Sequence, residues 1–378
     1  MRLTQSLWTA QSGWTADSLQ PLDSADLVLV FGGRAPLADH ALLEEVRRAY
    51  PSAHLIGCST AGEICDVRVT DDSLVATAVR FEQASVVGRE VSLREDGSSV
   101  ETGERLGRSL DPDGLRHVFV LSDGLDVNGS DLVSGLAGCL PPGVTITGGL
   151  SGDGDRFEQT LVLSGDDSRA GTVAALGLYG AGLQVGYASL GGWDPFGPER
   201  VITRSKDNVL YELDGRSALQ LYKEYLGEHA DGLPATGLLF PLAVRSSESE
   251  IPVVRTILAV DEDEQSLTFA GDVPEGDQAR LMKANFNRLV DGAAGAAKTT
   301  YSALGSVRAE LAILISCVGR KMVLKQRVEE EVEAVRDVLG GGAVLTGFYS
   351  YGEISPFTPE ARCELHNQTM TITAFAEG

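Results

Sequence analysis

Residues 55–64 read Leu-Ile-Gly-Cys-Ser-Thr-Ala-Gly-Glu-Ile, and residues 345–354 repeat the pattern as Leu-Thr-Gly-Phe-Tyr-Ser-Tyr-Gly-Glu-Ile. Both have the form apolar-x-Gly-x-x-[Ser/Thr]-x-Gly-Glu-Ile. A shorter relative, Ile-Thr-Gly-Gly-Leu-Ser-Gly-Asp-Gly, occupies residues 146–154. Because glycine permits positive φ and close approach of the backbone, each segment can turn main-chain N–H groups toward a small polar ligand.

The segments on either side of each motif repeat as well. A buried strand (26–31), an amphipathic helix (41–50) and a short strand (54–56) lead into the first motif, and a strand over 73–81 follows it. The matching segments of the other two units are strands 118–121, 144–146, 311–315, 343–345 and 369–375 and helices 131–139 and 327–339. This long, uneven period predicts an α/β protein of pseudo-symmetric, duplicated strand–helix–strand lobes with mixed sheets, in two domains around a cleft.

Further short motifs stand in order over nearly the whole chain. After the three Gly-rich segments these are Tyr-Glu-Leu-Asp-Gly (211–215), Phe-Pro-Leu (240–242), Val-Pro-Glu-Gly (273–276), Ser-Cys-Val-Gly-Arg (316–320) and His-Asn-Gln-Thr (366–369). The ordered set resembles the FIST family of bacterial and eukaryotic sensory modules. The resemblance implies an N-terminal extension at 1–25, a FIST N-terminal domain at 26–215 and a FIST C-terminal domain at 216–378.

The resemblance also implies a function. It points to an intracellular, non-catalytic sensory protein that binds a small ligand, with amino acids or related metabolites suggested. A haem-binding, nitric-oxide-sensing subgroup of the family provides an alternative. Because no output segment is evident in the sequence, we expect the signal to pass to a separate protein, such as a histidine kinase or a cyclic-dinucleotide enzyme.

Composition limits the partners. The chain has 378 residues, 43% of them hydrophobic, with a net charge of −23 and a pI near 4.6. An acidic surface repels phosphate backbones and anionic lipids, so we expect neither nucleic acid nor membrane as a partner. The five cysteines lack a Cys-x-x-Cys pair and the first residues lack a secretory signal, which together favour a reducing, cytoplasmic location.

Two connections can be predicted from local chemistry. The longest uncharged stretch, 170–193, is interrupted by glycines, so it is not a membrane helix. We interpret Tyr179-Gly-Ala-Gly182 within it as a hairpin turn between two strands. The segment 193–198 carries two prolines, which predict a surface loop.

The repeated glutamates are the first candidate ligand-binding residues. Glu63 and Glu353 hold the same position in two copies of the motif. Two carboxylates brought together by pseudo-symmetry could hold an ammonium group or act as acid and base. Alternatively, each accepts backbone hydrogen bonds and caps its own turn.

Other candidates surround them. Arg320 follows an apolar strand, where a guanidinium could clamp a ligand carboxylate; a salt bridge to Glu353 or another acid is the alternative. Hydroxyl groups beside the glycines bind a ligand or satisfy the tight turns themselves. The remaining candidate ligand-binding residues are Cys58, Ser59, Thr60, Ser151, Asp153, Tyr349, Ser350 and Tyr351.

Two alternatives to a plain binding protein follow from single residues. A hydrolase-like enzyme would use Cys58 or Glu63, but an inert, buried Cys58 is the simpler interpretation because no histidine suggests a dyad. The haem alternative needs only one axial ligand, for which His366 is the candidate; a histidine hydrogen-bonded to a loop is the simpler interpretation. No paired His/Cys spacing predicts a metal site.

Overall fold

A computed structural model describes residues 1–15, 19–93, 97–246, 252–357 and 361–378. The strands are β1 (Arg2–Thr9), β2 (Gly13–Trp14), β3 (Leu27–Gly32), β4 (His54–Ser59), β5 (Glu63–Cys65), β6 (Arg68–Thr70), β7 (Ser73–Arg80), β8 (Ser85–Ser92), β9 (Leu115–Ser122), β10 (Thr145–Leu150), β11 (Val162–Ser164), β12 (Asp167–Arg169), β13 (Thr172–Tyr179), β14 (Leu183–Leu190), β15 (Asp194–Lys206), β16 (Val209–Leu213), β17 (Arg216–Ser217), β18 (Leu242–Arg245), β19 (Val253–Arg255), β20 (Ile257–Asp261), β21 (Ser266–Phe269), β22 (Gln278–Lys283), β23 (Leu311–Cys317), β24 (Val344–Ser350), β25 (Gly352–Pro356), β26 (Cys363–His366) and β27 (Met370–Glu377). The α-helices are α1 (Arg34–Ala38), α2 (His40–Ala49), α3 (Ser99–Ser109), α4 (Gly129–Cys139), α5 (Ala218–Leu226), α6 (Phe286–Ala303), α7 (Val318–Leu324) and α8 (Val328–Leu339).

Three units of one design form the core. In each, two parallel strands are joined by a helical crossover, and a third strand returns antiparallel beside the first. The parallel pairs are β3 with β4, β9 with β10 and β23 with β24, and the returning strands are β7, β13 and β27. The predicted mixed α/β architecture of repeated strand–helix–strand lobes is therefore confirmed, with the repeat occurring in all three units.

The units exchange strands in a cycle. After its Gly-rich motif, each unit sends a hairpin to the sheet of another: β5–β6 joins β24, β25–β26 joins β10, and β11–β12 joins β4. As a result the three sheets share one strand order, β12-β11-β4-β3-β7-β1, β26-β25-β10-β9-β13-β8 and β6-β5-β24-β23-β27-β14. The core thus has pseudo-threefold symmetry, and segments from both ends of the chain lie in common sheets.

The first glycine of each motif permits this packing. Gly57, Gly148 and Gly347 lie on the second strand of their parallel pairs, where an added Cβ would come within 1.8 Å of a carbonyl oxygen on the first strand. No side chain fits there. The sequence keeps glycine at equivalent positions because the two backbones meet closely at the point where the motif turn begins.

Continuous apolar runs form the central strands. Every residue of β3 is buried, as expected for a parallel strand covered on both faces. Its crossover helix α2 begins after Asp39, whose carboxylate accepts hydrogen bonds from the backbone N–H groups of Ala41 and Leu42. That cap satisfies N–H groups that the helix itself leaves free.

A β domain, which we call the insert (residues 194–283), interrupts the third unit between β14 and α6. It comprises β15 to β22 with α5 packed on them, around its own buried apolar cluster. The prediction of a surface loop at 193–198 was wrong, because residues from Asp194 onward form the start of β15. The two prolines are accommodated at a break in the pairing of β15 with β22, between Pro195 and Glu199.

The predicted hairpin around Tyr179–Gly182 was also wrong. The two strands exist as β13 and β14, but β13 pairs with β8 and β9 while β14 pairs with β27. The glycines therefore carry the chain from one sheet to the next. Local turn chemistry predicted the reversal correctly but could not identify the pairing partners.

Candidate functional site

The three motif turns meet around the pseudo-threefold axis. The N–H of Gly152 donates to the Ser59 carbonyl at 2.8 Å, and that of Ala61 donates to the Tyr349 carbonyl at 2.8 Å. The third contact joins the third motif to the middle one, because the N–H of Tyr351 donates to the Leu150 carbonyl at 3.3 Å. The candidate residues of the three motifs are thus brought together, and their main-chain groups largely bond one another.

Glu63 and Glu353 each cap their own turn. The Glu63 carboxylate accepts hydrogen bonds from the Thr60 hydroxyl and from the N–H and hydroxyl of Ser73, the last at 2.6 Å. The Glu353 carboxylate accepts from the Ser350 hydroxyl at 2.6 Å and from the N–H and hydroxyl of Thr369. Both side chains are fully buried.

Burial also changes the ionisation of these two carboxyl groups. It raises the pKa of Glu63 to about 7 and the pKa of Glu353 to about 8, although the hydrogen bonds act in the opposite direction. Near neutral pH both groups therefore lie close to their protonation midpoints.

The middle unit departs from this pattern. The equivalent position after Ser151 holds Gly154 in place of a glutamate, and the Ser151 hydroxyl donates to the Ser122 carbonyl at 2.7 Å. The neighbouring Asp153 is buried and pairs with Arg156 at 2.7 Å and with Arg34 at 3.1 Å. These ion pairs hold the turn of the middle unit to residues outside the motif.

Arg320 belongs to a buried ion pair. Its guanidinium donates to Glu331 at 2.7 Å and to the carbonyls of Leu289 and Gly191. The other oxygen of Glu331 accepts from the Tyr349 hydroxyl at 2.7 Å. This network joins α7, α8 and the third motif from within the core, and it occupies the Arg320 guanidinium.

Ser59 and Cys58 are also enclosed. The Ser59 hydroxyl donates to the Gly152 carbonyl at 2.8 Å, which ties the first motif to the middle one. Cys58 is fully buried, and burial raises the pKa of its thiol well above the ordinary value. A thiolate nucleophile is therefore disfavoured at this position.

The surroundings of His366 do not fit a haem ligand. Its Nε2 lies 2.6 Å from the Ser355 carbonyl oxygen, and its ring packs on Phe357 with centroids 4.1 Å apart. Burial lowers the pKa of His366 to about 4. His366 does not line the cavity at the first motif or either cavity between the core and the insert, so its surroundings do not fit a haem.

The described residues line three cavities that are large enough for a small molecule. The smallest, about 370 Å³, is bordered by Thr60, Glu63 and Lys321, but the Lys321 ammonium already donates to the Ala61 carbonyl and to Asp71. The other two lie between the core and the insert. One, the apolar cavity, has a volume of about 580 Å³ and includes Tyr351 in its wall; the other, the charged cleft, has a volume of about 890 Å³.

The charged cleft contains a buried arginine. Arg255 is 6% exposed, and among the described residues its guanidinium donates to two main-chain carbonyls, of Asp272 at 3.1 Å and of Leu365 at 2.8 Å. In the part of the chain that the structure describes, no carboxylate lies within ion-pair distance and Nη2 has no hydrogen-bond partner. Burial lowers the pKa of Arg255, since a buried charge is costly without a counter-ion.

Further polar groups share the cleft. Ser130, on α4, has a buried hydroxyl that lacks a partner among the described residues. The Asp272 carboxylate accepts from the Asn128 side chain at 3.2 Å rather than from Arg255. With Glu364 it supplies negative charge near the guanidinium. The cleft therefore presents both signs of charge, and Arg255 and Asp272 do not form an ion pair with each other.

Sequence reasoning missed Arg255, Ser130 and Asp272. One signal was available, because Arg255 lies between the apolar pairs Val253-Val254 and Ile257-Leu258, and a charge in such surroundings is a candidate for burial. Asp272 approaches Arg255 through the fold of the insert itself, whereas Ser130 shares the cleft with Arg255 because the insert packs against α4.

The described residues contain neither a cluster of metal ligands nor a membrane-spanning helix. No group of three or more His, Cys, Asp or Glu side chains among them is arranged to hold a metal ion. No helix in the same part of the chain is both long and apolar enough to cross a membrane.

Comparisons with known proteins agree with the sequence resemblance. No curated protein matches the chain. The crystal structure of a cyanuric acid hydrolase from A. caulinodans is aligned over 78% of this chain and 99% of that one, at 11% identity and a TM-score of 0.18, which carries no argument. The FIST N domain model matches residues 26–216 and the FIST C domain model matches residues 218–356. FIST domains are sensory domains of signal-transduction proteins. Because the two matches together cover most of the chain, the chain belongs to the FIST family of sensory proteins.

Proposed function

We propose that this sensory protein binds a small zwitterion, an α-amino acid or a close relative, in the charged cleft. The observation that carries the proposal is Arg255, a buried guanidinium with no carboxylate partner among the described residues. A ligand carboxylate at Nη2 would supply the missing counter-ion. A guanidinium is suited to this task because its planar fork matches the two carboxylate oxygens.

The acidic groups of the cleft suit the other half of the ligand. Burial lowers the pKa of Arg255, and the charges of Asp272 and Glu364 offset part of that effect without forming an ion pair with the guanidinium. A ligand ammonium beside Asp272 would balance that carboxylate, while the Ser130 hydroxyl is available for a further hydrogen bond. A purely anionic ligand would be repelled by the same acids, so a zwitterion fits best.

Binding there would link the insert to the core. Arg255 lies on β19 of the insert, and Leu365, which accepts one of its hydrogen bonds, lies on β26 of the core. β26 pairs with β25, the strand that carries Glu353 of the third motif. We propose that the ligand draws the insert onto the core, and that the buried motif residues maintain the wall against which it closes.

A thermal-shift panel tests the ligand class. Each amino acid is compared with the amine that lacks its carboxylate and with the acid that lacks its amino group. We expect at least one amino acid to raise the unfolding temperature while both matched analogues fail. Stabilisation by the deaminated acids alone would overturn the zwitterion assignment, and no stabilisation by any amino acid would overturn the proposal.

Substitution then tests the site. Arg255→Lys keeps the charge but removes the fork, so we expect affinity for the same amino acid to fall by at least about tenfold. The control is Arg204→Lys, which changes an arginine that is 56% exposed and pairs with Glu212. Equal affinities in the two variants would place the ligand elsewhere.

We further propose that the protein acts in the cytoplasm and passes its signal to a separate partner, a histidine kinase or a cyclic-dinucleotide enzyme. The sensory family and the acidic surface support this assignment. A pull-down with tagged protein, with and without the stabilising amino acid, provides the test. We expect one such enzyme to change its recovery with ligand, and ligand-independent recovery of every partner would contradict the proposal.

A further inference from the structure

We infer that the apolar cavity is a second ligand site, for an uncharged, largely apolar molecule with one hydrogen-bond acceptor. Its volume of about 580 Å³ lies within the range of about 300–1,000 Å³ that is usual for small-molecule sites. It lies between the core and the insert, as the charged cleft does, but its chemistry is different.

Its walls are apolar and nearly free of charge. The core contributes Leu150, Val318 and Tyr351, and the insert contributes Ile257 and Phe269. Among the described residues that line it, only the exposed Asp155 is charged. A zwitterion would lose its hydration here without gaining a counter-ion, so the cavity selects against the ligand of the charged cleft.

Exposed apolar side chains also border this cavity. Leu125, Phe157 and Leu258 are 37%, 40% and 44% exposed, and all three belong to its lining. Phe157 stacks on Tyr351 with ring centroids 4.3 Å apart and an interplanar angle of 12°. Apolar side chains left in water at the edge of a concave apolar site are what an apolar ligand would cover.

One buried polar group could orient a ligand in the apolar cavity. Thr256 lines the cavity, and its buried hydroxyl has no hydrogen-bond partner among the described residues; the residue as a whole is 4% exposed. A buried hydroxyl without a partner is unfavourable, and a ligand carbonyl would satisfy it. Thr256 directly follows Arg255, so adjacent residues of the insert serve the two sites.

Binding is tested with N-phenyl-1-naphthylamine, a neutral dye whose fluorescence rises in apolar surroundings. We expect saturable binding of one dye per chain. Met322→Trp should fill the cavity and weaken binding at least about tenfold, whereas Val201→Trp, at an exposed apolar residue outside the lining, should leave it unchanged. Because Met322 is partly buried, Leu125→Trp at the exposed edge provides a second variant that is less demanding for folding.

The role of Thr256 is tested by competition with two matched compounds. Thr256→Val should weaken displacement of the dye by 2-acetylnaphthalene about fivefold to tenfold and leave 2-ethylnaphthalene unaffected. Non-saturable dye binding, or equal binding in the cavity variants and in Val201→Trp, would show surface association and overturn the inference. An equal effect of Thr256→Val on both compounds would overturn the assigned hydroxyl contact. None of the three compounds carries a carboxylate, so these outcomes are independent of those for the charged cleft.

Discussion

Glu63 and Glu353 hold the same position in two copies of the motif, and they make equivalent hydrogen bonds. Each accepts three hydrogen bonds from a hydroxyl in its own turn and from the residue at the start of the returning strand. The sequence predicted their equivalence and left two roles open, ligand contact or turn cap. The observed contacts are those of a cap, and burial raises the pKa of both groups.

The raised pKa values predict a pH dependence of stability. A carboxyl whose pKa rises from 4.5 to about 8 on folding binds its proton more tightly in the folded state. Its contribution to stability is therefore complete at low pH and declines as pH rises from about 4.5 to about 8. Relative to Glu353→Gln, the wild type should lose up to about 1.4 kcal/mol of unfolding free energy per pH unit in this window.

Urea denaturation at several pH values measures this difference. The control is Glu104→Gln, which changes a glutamate that pairs with Arg108 on the helix surface. Parallel stability profiles for the wild type and Glu353→Gln would contradict the raised pKa.

The two buried arginines differ in their partners. Arg320 has Glu331, whereas Arg255 has only carbonyls among the described residues. Sequence could identify both as charges beside apolar runs, but it could not assign a counter-ion. Arg320 lies on α7 and Glu331 on α8, and their pairing depends on how these two helices pack.

Removing one partner of the buried pair should be costly. We expect Glu331→Ala to lower the free energy of unfolding by about 3–5 kcal/mol, because it leaves the Arg320 guanidinium buried and unpaired. Glu330→Ala, which breaks a half-exposed pair with Arg327, should have a much smaller effect, because solvent screens that pair. Similar losses in the two variants by chemical denaturation would contradict a structural role specific to the buried pair.

At the scale of elements, the parallel strand pairs depend on the first glycine of each motif. Gly57→Ala would place a methyl group 1.8 Å from the Val30 carbonyl oxygen, so the strands must separate. We expect a loss of more than about 2 kcal/mol in unfolding free energy. Gly88→Ala is the matched strand control, because the nearest atom to its added Cβ is 3.6 Å away. A tolerated Gly57→Ala would show that the strands lie farther apart.

Elements were more predictable than their pairing. Apolar runs and helical spacing located the central strands and crossover helices of all three units, because these patterns depend on local burial. The exchange of β5, β11 and β25 between units could not be predicted, since local sequence patterns do not identify the strand beside which a short strand pairs. The hairpin expected around Tyr179–Gly182 failed for the same reason.

At the scale of the molecule, core and insert have separate apolar clusters. Asp194 and Lys283 are cross-strand neighbours at the base of the insert, so a short Gly-Ser linker could replace residues 195–282. We expect this variant to unfold cooperatively in a denaturant titration. A fragment of residues 1–215 should not, because its sheets lack β24, β25 and β27. Cooperative unfolding of the fragment alone would contradict a core built by strand exchange.

The candidate site is a property of the whole molecule, which limits what sequence could show. The motif turns were expected to converge on a cleft, whereas their main-chain groups bond one another around the pseudo-threefold axis. The charged cleft instead forms where α4 and β26 of the core face the insert. Arg255 and Ser130 are far apart in the chain and share no motif, so their proximity depends on the tertiary structure.

Photo-crosslinking tests the central claim that the ligand lies in the charged cleft. A diazirine analogue of the stabilising amino acid is irradiated with the protein, and labelled peptides are identified by mass spectrometry. We predict labels on cleft-lining segments such as 141–146, 253–255 and 362–365, which excess unlabelled amino acid should suppress. Labels confined to the motif turns around Thr60 and Ser350, or labels that competition does not suppress, would contradict the account.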